Sequence, residues 1–413
     1  MQKKLIALAV AGLAAAPAFA QTNVTIYGVA DATFDNVRAT DTQVSGDKLG
    51  STNRVSTNSS YLGFKGTEDL GNGLKAVFQF ESGISSDAAT GTWASRDSFV
   101  GLSGGFGTVV AGNLTGPTRA LAAALDVNSG ATGIGANTGL LGKLGGSGLV
   151  GTTNANGTYT PTAYGTSSVA GAGGKVTNTA LAGCDRSSTC TSVFDTRWKN
   201  AIAYVSPSFA GVTVTAAYVA NENHDFDAAP ATAANTQGYD LGVNYNNGPV
   251  LAGLTYNAVT LRDQYETRIS SLRLGGSYNF GVASVRALVE RVDGKDNGNP
   301  SGLFGGSVHQ YTWGLGATYN VTTNGKIIAQ YYRAQDIAGD IAVKKTGAKL
   351  FELGYEHSLS KRTIVKAVYS YLGNDTNANY DYGLNATGIQ TAAGDHGNGA
   401  KLNGIQVGVR HSF

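Results

Sequence analysis

Apolar side chains return at every second position along stretches of about ten residues, and nothing else in this sequence limits the fold as tightly. Tyr239, Leu241, Val243 and Tyr245 alternate with Asp240, Gly242, Asn244 and Asn246. Leu272, Leu274, Gly276, Tyr278 and Phe280 alternate with Arg273, Gly275, Ser277 and Asn279. Tyr311, Trp313, Leu315, Ala317 and Tyr319 alternate with Thr312, Gly314, Gly316, Thr318 and Asn320. At the end, Ile405, Val407, Val409, His411 and Phe413 are set against Gln406, Gly408, Arg410 and Ser412. A period of two puts successive side chains on opposite faces of a strand, so each segment has one apolar and one polar face. Composition argues against a helical fold: Gly makes up 58 of 413 residues and Met appears once, and Gly disfavours helix interiors. With 42% hydrophobic residues and a formal net charge of +2, the chain is not of the disordered kind either.

A soluble sandwich shares this alternation, and two features separate it from a membrane barrel. The segments span about 9–12 residues, against about 5–6 for ordinary strands, and that length crosses a bilayer when tilted. Aromatic residues sit at segment ends, at Tyr27 and Phe34, Tyr239 and Tyr245, Tyr278 and Phe280, Tyr311 and Tyr319, where an interfacial girdle belongs. The opposite face carries Gly, Ser, Thr, Asn and charge, which suits a wet lumen. Sixteen strands are predicted, over 24–34, 54–67, 73–83, 95–103, 106–113, 197–206, 211–220, 237–246, 249–259, 267–279, 281–291, 309–320, 325–334, 347–358, 363–373 and 402–413. Their connections alternate between tight turns, such as Asn246-Asn247-Gly248, and long loops, of which 114–196 is the longest. An even strand number closes the sheet and removes its edges. The expectation is an all-β fold: a 16-stranded antiparallel transmembrane β-barrel with short periplasmic turns and long external loops.

Residues 1–20 read as a cleaved signal peptide. Lys3 and Lys4 precede an apolar run, and Ala18-Phe19-Ala20 forms a small-x-small cleavage site,. Residues 21–413 would then be the barrel. Losing two lysines leaves 30 − 2 = 28 basic against 28 acidic residues, so the exported chain is neutral and unsuited to bulk nucleic-acid binding. Cys184 and Cys190 are the only cysteines. In an oxidising compartment they are expected to pair and pin a surface loop.

Several stretches resemble the trimeric general porins of beta-proteobacterial outer membranes. They include Val24-Thr25-Ile26-Tyr27-Gly28-Val29-Ala30-Asp31, Tyr61-Leu62-Gly63-Phe64-Lys65-Gly66-Thr67-Glu68-Asp69-Leu70-Gly71 and Arg96-Asp97-Ser98-Phe99-Val100-Gly101-Leu102. The run Phe106-Gly107-Thr108-Val109-Val110-Ala111-Gly112 and the end Gly408-Val409-Arg410-His411-Ser412-Phe413 match as well. The resemblance implies passive channels in a homotrimer, with the third long loop, here 114–196, folded partly into the pore. Leu114 to Asn128 is the part expected inside, and the middle, around 130–180, is expected to stay external or mobile. Where family members commonly carry Gly-Arg after the Thr-Val pair, this chain has Gly112-Asn113. The resemblance also implies outer-membrane lipid and lipopolysaccharide as surroundings, and the barrel-assembly machinery as a partner that reads Phe413. The lesser alternative for Phe413 is a plain girdle aromatic.

Parity places Lys75, Gln79 and Glu81 on the lumen face, opposite lipid-facing Ala76, Phe78 and Phe80. By resemblance, Arg54, Arg96 and either Arg197 or Lys199 make a basic wall facing the loop, with Asp126 as the nearest opposing acid. Opposed charges across a narrow aqueous section would set a transverse field, and a basic wall favours anions. The expected function is therefore an outer-membrane porin for ions and small hydrophilic solutes, weakly anion-selective, with no cofactor. A substrate-specific channel and a surface adhesin remain as alternatives. A barrel enzyme would need a nucleophile–base constellation, and His224 with Asp225, or His309, offers fragments only. The five histidines show no metal-ligand spacing,.

Overall fold

The computed structural model describes residues 23–41, 50–87, 91, 93–145, 150–153, 159–162, 194–220, 235–262, 267–295, 306–340, 344–378, 380–382 and 399–413. The leader 1–20 and the Cys184–Cys190 pair lie outside them.

Sixteen barrel strands follow in chain order. They are β1 (Asn23–Thr40), β2 (in two pieces, Thr52–Ser56 and Tyr61–Gly71), β3 (Leu74–Gly83), β4 (Ser98–Gly104), β5 (Gly107–Thr115) and β6 (Arg197–Val205). Then come β7 (Val212–Val219), β8 (Asn235–Asn247), β9 (Val250–Arg262), β10 (Thr267–Asn279) and β11 (Ala283–Lys295). The last five are β12 (Ser307–Asn320), β13 (Gly325–Ala334), β14 (Ala348–Ser358), β15 (Thr363–Asn374) and β16 (Lys401–Ser412). Each pairs antiparallel with its neighbour in sequence, and β1 also pairs with β16, from Val29↔Ser412 to Thr40↔Lys401. The ring is closed, as a bilayer demands of a sheet, because an open edge would leave unpaired N–H and C=O groups in hydrocarbon. β5 and β6 are neighbours despite the longest connection in the chain. A separate ribbon pairs Val150–Thr153 with Tyr159–Thr162.

The two strand faces separate as the alternation predicts. Outward positions carry Val100, Leu274, Leu315 and Ile405, each more than half exposed, which in water would be an untenable apolar belt and in lipid is the stabilising contact. Two aromatic rims bound this belt. Near the turns, Tyr278 and Phe280 pack with ring centroids 4.6 Å apart. Near the loops, Arg268 Nη2 donates to the hydroxyls of Tyr239 (2.7 Å) and Tyr256 (2.8 Å). Tyr27 departs from the expected girdle. It lies on the inward parity of β1, and its hydroxyl donates to Glu81 Oε2 at 3.2 Å. Alternation is regular on β1, so a strand-end aromatic on the polar parity goes to the lumen, whatever its side-chain type.

The chain ends meet at the seam. Phe413 N donates to Gly28 O (3.1 Å) and Gly28 N donates to Phe413 O (3.2 Å). A Cβ on Gly28 would lie 2.5 Å from the Phe413 ring and 2.7 Å from the Tyr61 carbonyl oxygen, so position 28 has room for glycine alone.

The third loop penetrates further than its first part. Ile134, Ala136, Leu140, Leu141 and Leu144 are all fully buried inside the barrel, so residues 130–145 belong to the interior, not to the outside. Ile134, Leu140 and Leu141 pack in one cluster with inner-wall Leu288, Ile328, Leu350 and Leu402.

Candidate functional site

After β5 the sequence Gly116-Pro117-Thr-Arg-Ala-Leu-Ala-Ala-Ala-Leu125 favours a helix. Proline suits the first turn, and Ala and Leu are strong helix formers. The result is α1 (Pro117–Leu125), the one α-helix among the described residues. Pro117, Thr118, Leu121, Ala122 and Leu125 are buried, which is one face at three- and four-residue spacing. That face lies on glycines of three adjacent strands. A Cβ at Gly242 of β8 would sit 2.5 Å from Pro117, and one at Gly253 of β9 would sit 2.6 Å from Leu121. At Gly275 of β10, Leu125 is closer still. The other face turns exposed Ala120, Ala123 and Ala124, with Arg119, toward the opening that remains.

Polar wall groups meet the loop's backbone and side chains in turn. Asp240 accepts from Thr118 Oγ1 (2.6 Å) and from the Thr118 and Trp198 N–H groups. Arg273, with a fully buried side chain, donates to the Thr118 carbonyl (2.8 Å), to Asp195 (2.9 Å) and to Glu290 (2.6 Å). Glu290 accepts from Gly142 N (2.7 Å), Gln310 from Gly145 N (2.8 Å) and Glu356 from Ser129 (2.6 Å). A buried loop needs this accounting, because each unpaired backbone group inside would cost free energy comparable to a lost hydrogen bond.

Asp126 is spent on the same task. Its Oδ1 accepts from Asn128 N (2.8 Å) and Asn128 Nδ2 (2.9 Å), and its Oδ2 from Asn137 N (2.7 Å). Asn128 Nδ2 and Gln330 Nε2 also donate to Glu352 Oε2, at 2.9 and 2.6 Å. Burial pushes the Asp126 carboxyl above its usual range, against the pull of these donors,. It is the only acid between 116 and 145 and is 4% exposed. Between 116 and 145 the loop's water-facing side therefore opposes the wall with alanine and Arg119, not with a carboxylate.

The wall itself is built of ion pairs with a consistent orientation. Side-chain exposure is 15% for Arg54 against 0% for its partner Asp35, and 14% for Arg410 against 0% for Asp31. Arg96 and Glu81 follow the same order, as do Lys326 (33%) and Glu356 (2%). In each, the cation meets water and the acid lies behind it. Arg197 and Asp97, paired at 2.8 Å, reverse the order, with 14% against 21%, while Arg273 with Asp195 and Glu290, and Lys366 with Asp31, are buried on both sides. Asp31 accepts from both Lys366 (3.0 Å) and Arg410 (3.2 Å), which leaves one positive charge in excess. Arg119 donates to the carbonyl oxygen of Asp195 rather than to a carboxylate. Burial, with Arg197 nearby, lowers its guanidinium to about 10, so it stays charged at neutral pH.

The sequence-derived residues are thus placed as follows. Arg96, Glu81 and Arg197 come together on the inner wall, and Arg54 stands on the same wall paired with Asp35. Lys75 is exposed at the turn end of β3, opposite Ser103. Lys199 is exposed beside Asn200, which takes a positive φ of 53° in a break of the β6 alternation. Asn113 braces the wall through its amide, which donates to the Arg96 carbonyl at 2.9 Å. Arg119 and Arg410 were missed. The parity of β16 already put Arg410 on the polar face, whereas Arg119 lies on a helix that only the folded loop orients.

A closed barrel with an apolar exterior, a charged wall and an inward loop defines an outer-membrane diffusion channel. The model of the Gram-negative porin family matches residues 7–377, and the chain belongs to this family. Outer membrane porin protein 32 of Delftia acidovorans is 32% identical over the whole of both chains. Major outer membrane protein P.IB of Neisseria gonorrhoeae is 31% identical over 73% of this chain and 74% of its own. Among solved structures, the anion-selective porin from Comamonas acidovorans superposes with a TM-score of 0.68 at 27% identity, covering 95% of this chain and 100% of that one. The protein is an outer-membrane porin.

Proposed function

We propose that this porin passes ions and small hydrophilic solutes without catalysis and prefers anions. The observation that carries this is the orientation of the wall pairs: Arg54, Arg96, Arg410 and Lys326 face water while their carboxylates lie behind them. The alanine face of α1 adds Arg119 and no acid. Charges lining a narrow section between low-dielectric walls are weakly screened, and a bias of about 1 kcal/mol already favours one sign of ion roughly fivefold. The name of the Comamonas structure agrees with this sign.

Reversal potentials in a KCl gradient across planar bilayers test the reading. Chloride is expected to outpace potassium, and Arg119→Glu with Arg410→Glu is expected to move the reversal potential toward that of potassium. A cation-selective wild-type channel overturns it.

The family resemblance supports a homotrimer in which each barrel conducts separately, set in outer-membrane lipid and lipopolysaccharide after export through the 1–20 leader. It also supports recognition of Phe413 by the assembly machinery. The reciprocal Gly28–Phe413 bonds give that residue a second task, the closing contact of the seam. Phe413→Ala is expected to reduce folded barrel in the outer membrane several-fold, read as the heat-modifiable band on gels. Wild-type yield would refute both roles.

A further inference from the structure

A recess of about 510 Å³ opens in the lumen wall between the N-terminal end of β1 and strands β2 to β7. Its residues lie between the level of α1 and the turn end of the barrel. Most of its lining positions face the lumen by parity, Gly66 and Phe78 being on the outward one, and Thr25, Thr67, Gln79 and Thr108 are polar as a wet wall requires. Yet neighbouring inward positions on four strands carry Val77, Phe99, Val110, Leu114, Ala203 and Val205. Val77 and Phe99 lean on the edge of the cluster that Leu114, Leu144, Phe194 and Trp198 form under the loop, and their free sides line the recess.

The polar margin is as informative as the apolar wall. Lys65 lines the recess. Its Nζ stands 4.9 Å over the Tyr27 ring, and no carboxylate pairs with it among the described residues. Asp97 also lines the recess, but its charge is answered by Arg197 (2.8 Å), by Thr115 N (2.6 Å) and by Thr115 Oγ1 (3.0 Å). Gln79 and Thr108 supply further hydrogen-bonding groups. An apolar wall of this volume with a few convergent polar groups, and a lysine that has no carboxylate partner among the described residues, is the composition of a small-molecule site.

We propose that this recess is a transit subsite for small carboxylates bearing an aromatic body. The ring lies against Phe99, Val110 and Leu114, and the carboxylate turns to Lys65. The proposal rests on the anion-preferring channel reading and adds the class of solute for which that channel holds a resting place. Chloride and acetate pass the recess without using its apolar wall. An organic cation of the same shape meets Lys65 and the wall guanidinium groups as repulsion.

The test uses the purified full-length protein in planar bilayers, with chloride current in KCl as the signal. The probes are 3-phenylpropanoate, acetate and phenethylammonium. Removing an aromatic ring's apolar surface from water favours binding by at least about tenfold, so phenylpropanoate is expected to interrupt the current at about one-tenth the concentration of acetate. The effect is expected to be stronger from the turn side. Lys65→Gln and, separately, Val110→Thr are expected to weaken that interruption several-fold while chloride conductance stays near wild type. Val110→Thr keeps the shape of the side chain, so barrel folding is preserved for the comparison. Equal potency of phenylpropanoate and acetate overturns the proposal, as does interruption that survives both substitutions; a recess filled by the chain's own segments would give the first of these results. A protein that carries no chloride current at all would instead overturn the channel reading beneath it.

Discussion

Arg273→Met is expected to free the constriction loop, seen as a rise in single-channel conductance with frequent sublevels, while the barrel keeps its heat-modifiable mobility. Arg273 stands on β10 and touches three other parts of the chain: the first turn of α1 through Thr118, the returning end of the loop through Asp195, and β11 through Glu290. Glu290 in turn holds Gly142. Taking the guanidinium away leaves Asp195 and Glu290 buried and close to each other, and breaking a buried pair in this way costs about 3–5 kcal/mol. The strand ladders do not pass through this cluster, so the loss falls on the loop. Glu290→Gln keeps a hydrogen-bonding group opposite Arg273 and is expected to do less. Wild-type conductance in Arg273→Met would show that the glycine-backed helix holds itself in place.

The complementary experiment fills the groove that receives α1. Gly253→Val with Gly275→Val is expected to lower conductance by about twofold, because pore width at the narrowest section sets the current. Added side chains would overlap Leu121 and Leu125, and overpacking of this kind costs about 1–3 kcal/mol. That is less than the combined hold of Asp240 and Arg273 on the N-terminal turn, so the helix is pushed toward the wall of Arg96 and Arg197 and not expelled. A conductance increase would reverse this ranking of the two effects. Together the substitutions ask separately what tethers the loop and what sets its distance from the opposite wall.

Both results turn on features that were visible in the sequence but carried a different meaning there. The glycines at 242 and 275 read as bare lumen face; with Gly253 they are the bed on which a helix lies. Asp126 read as the acid opposing a basic wall; it is the loop's internal brace, hydrogen-bonded to Asn128 and Asn137. Arg410 sat in plain sight on the polar parity of β16, and Arg119 on no strand at all. Arg54, Arg96 and Arg197 lie in ion pairs with Asp35, Glu81 and Asp97, and which side of each pair meets water is not legible from their positions in the sequence.

The sequence by itself determined the sixteen strands, their faces, and the division into turns and loops. Those follow from a local rule: each second residue of a strand must suit hydrocarbon or water, and the rule leaves its mark every two residues whatever the rest of the chain does. Only the tertiary structure decided the chemistry of the opening. The contacts that settle it join residues far apart, 122 positions between Thr118 and Asp240 and 224 between Asn128 and Glu352. Whether a lumen-facing charge meets water or lies under the loop depends on how the segment from 116 to 145 packs against the far wall. No local pattern encodes that packing.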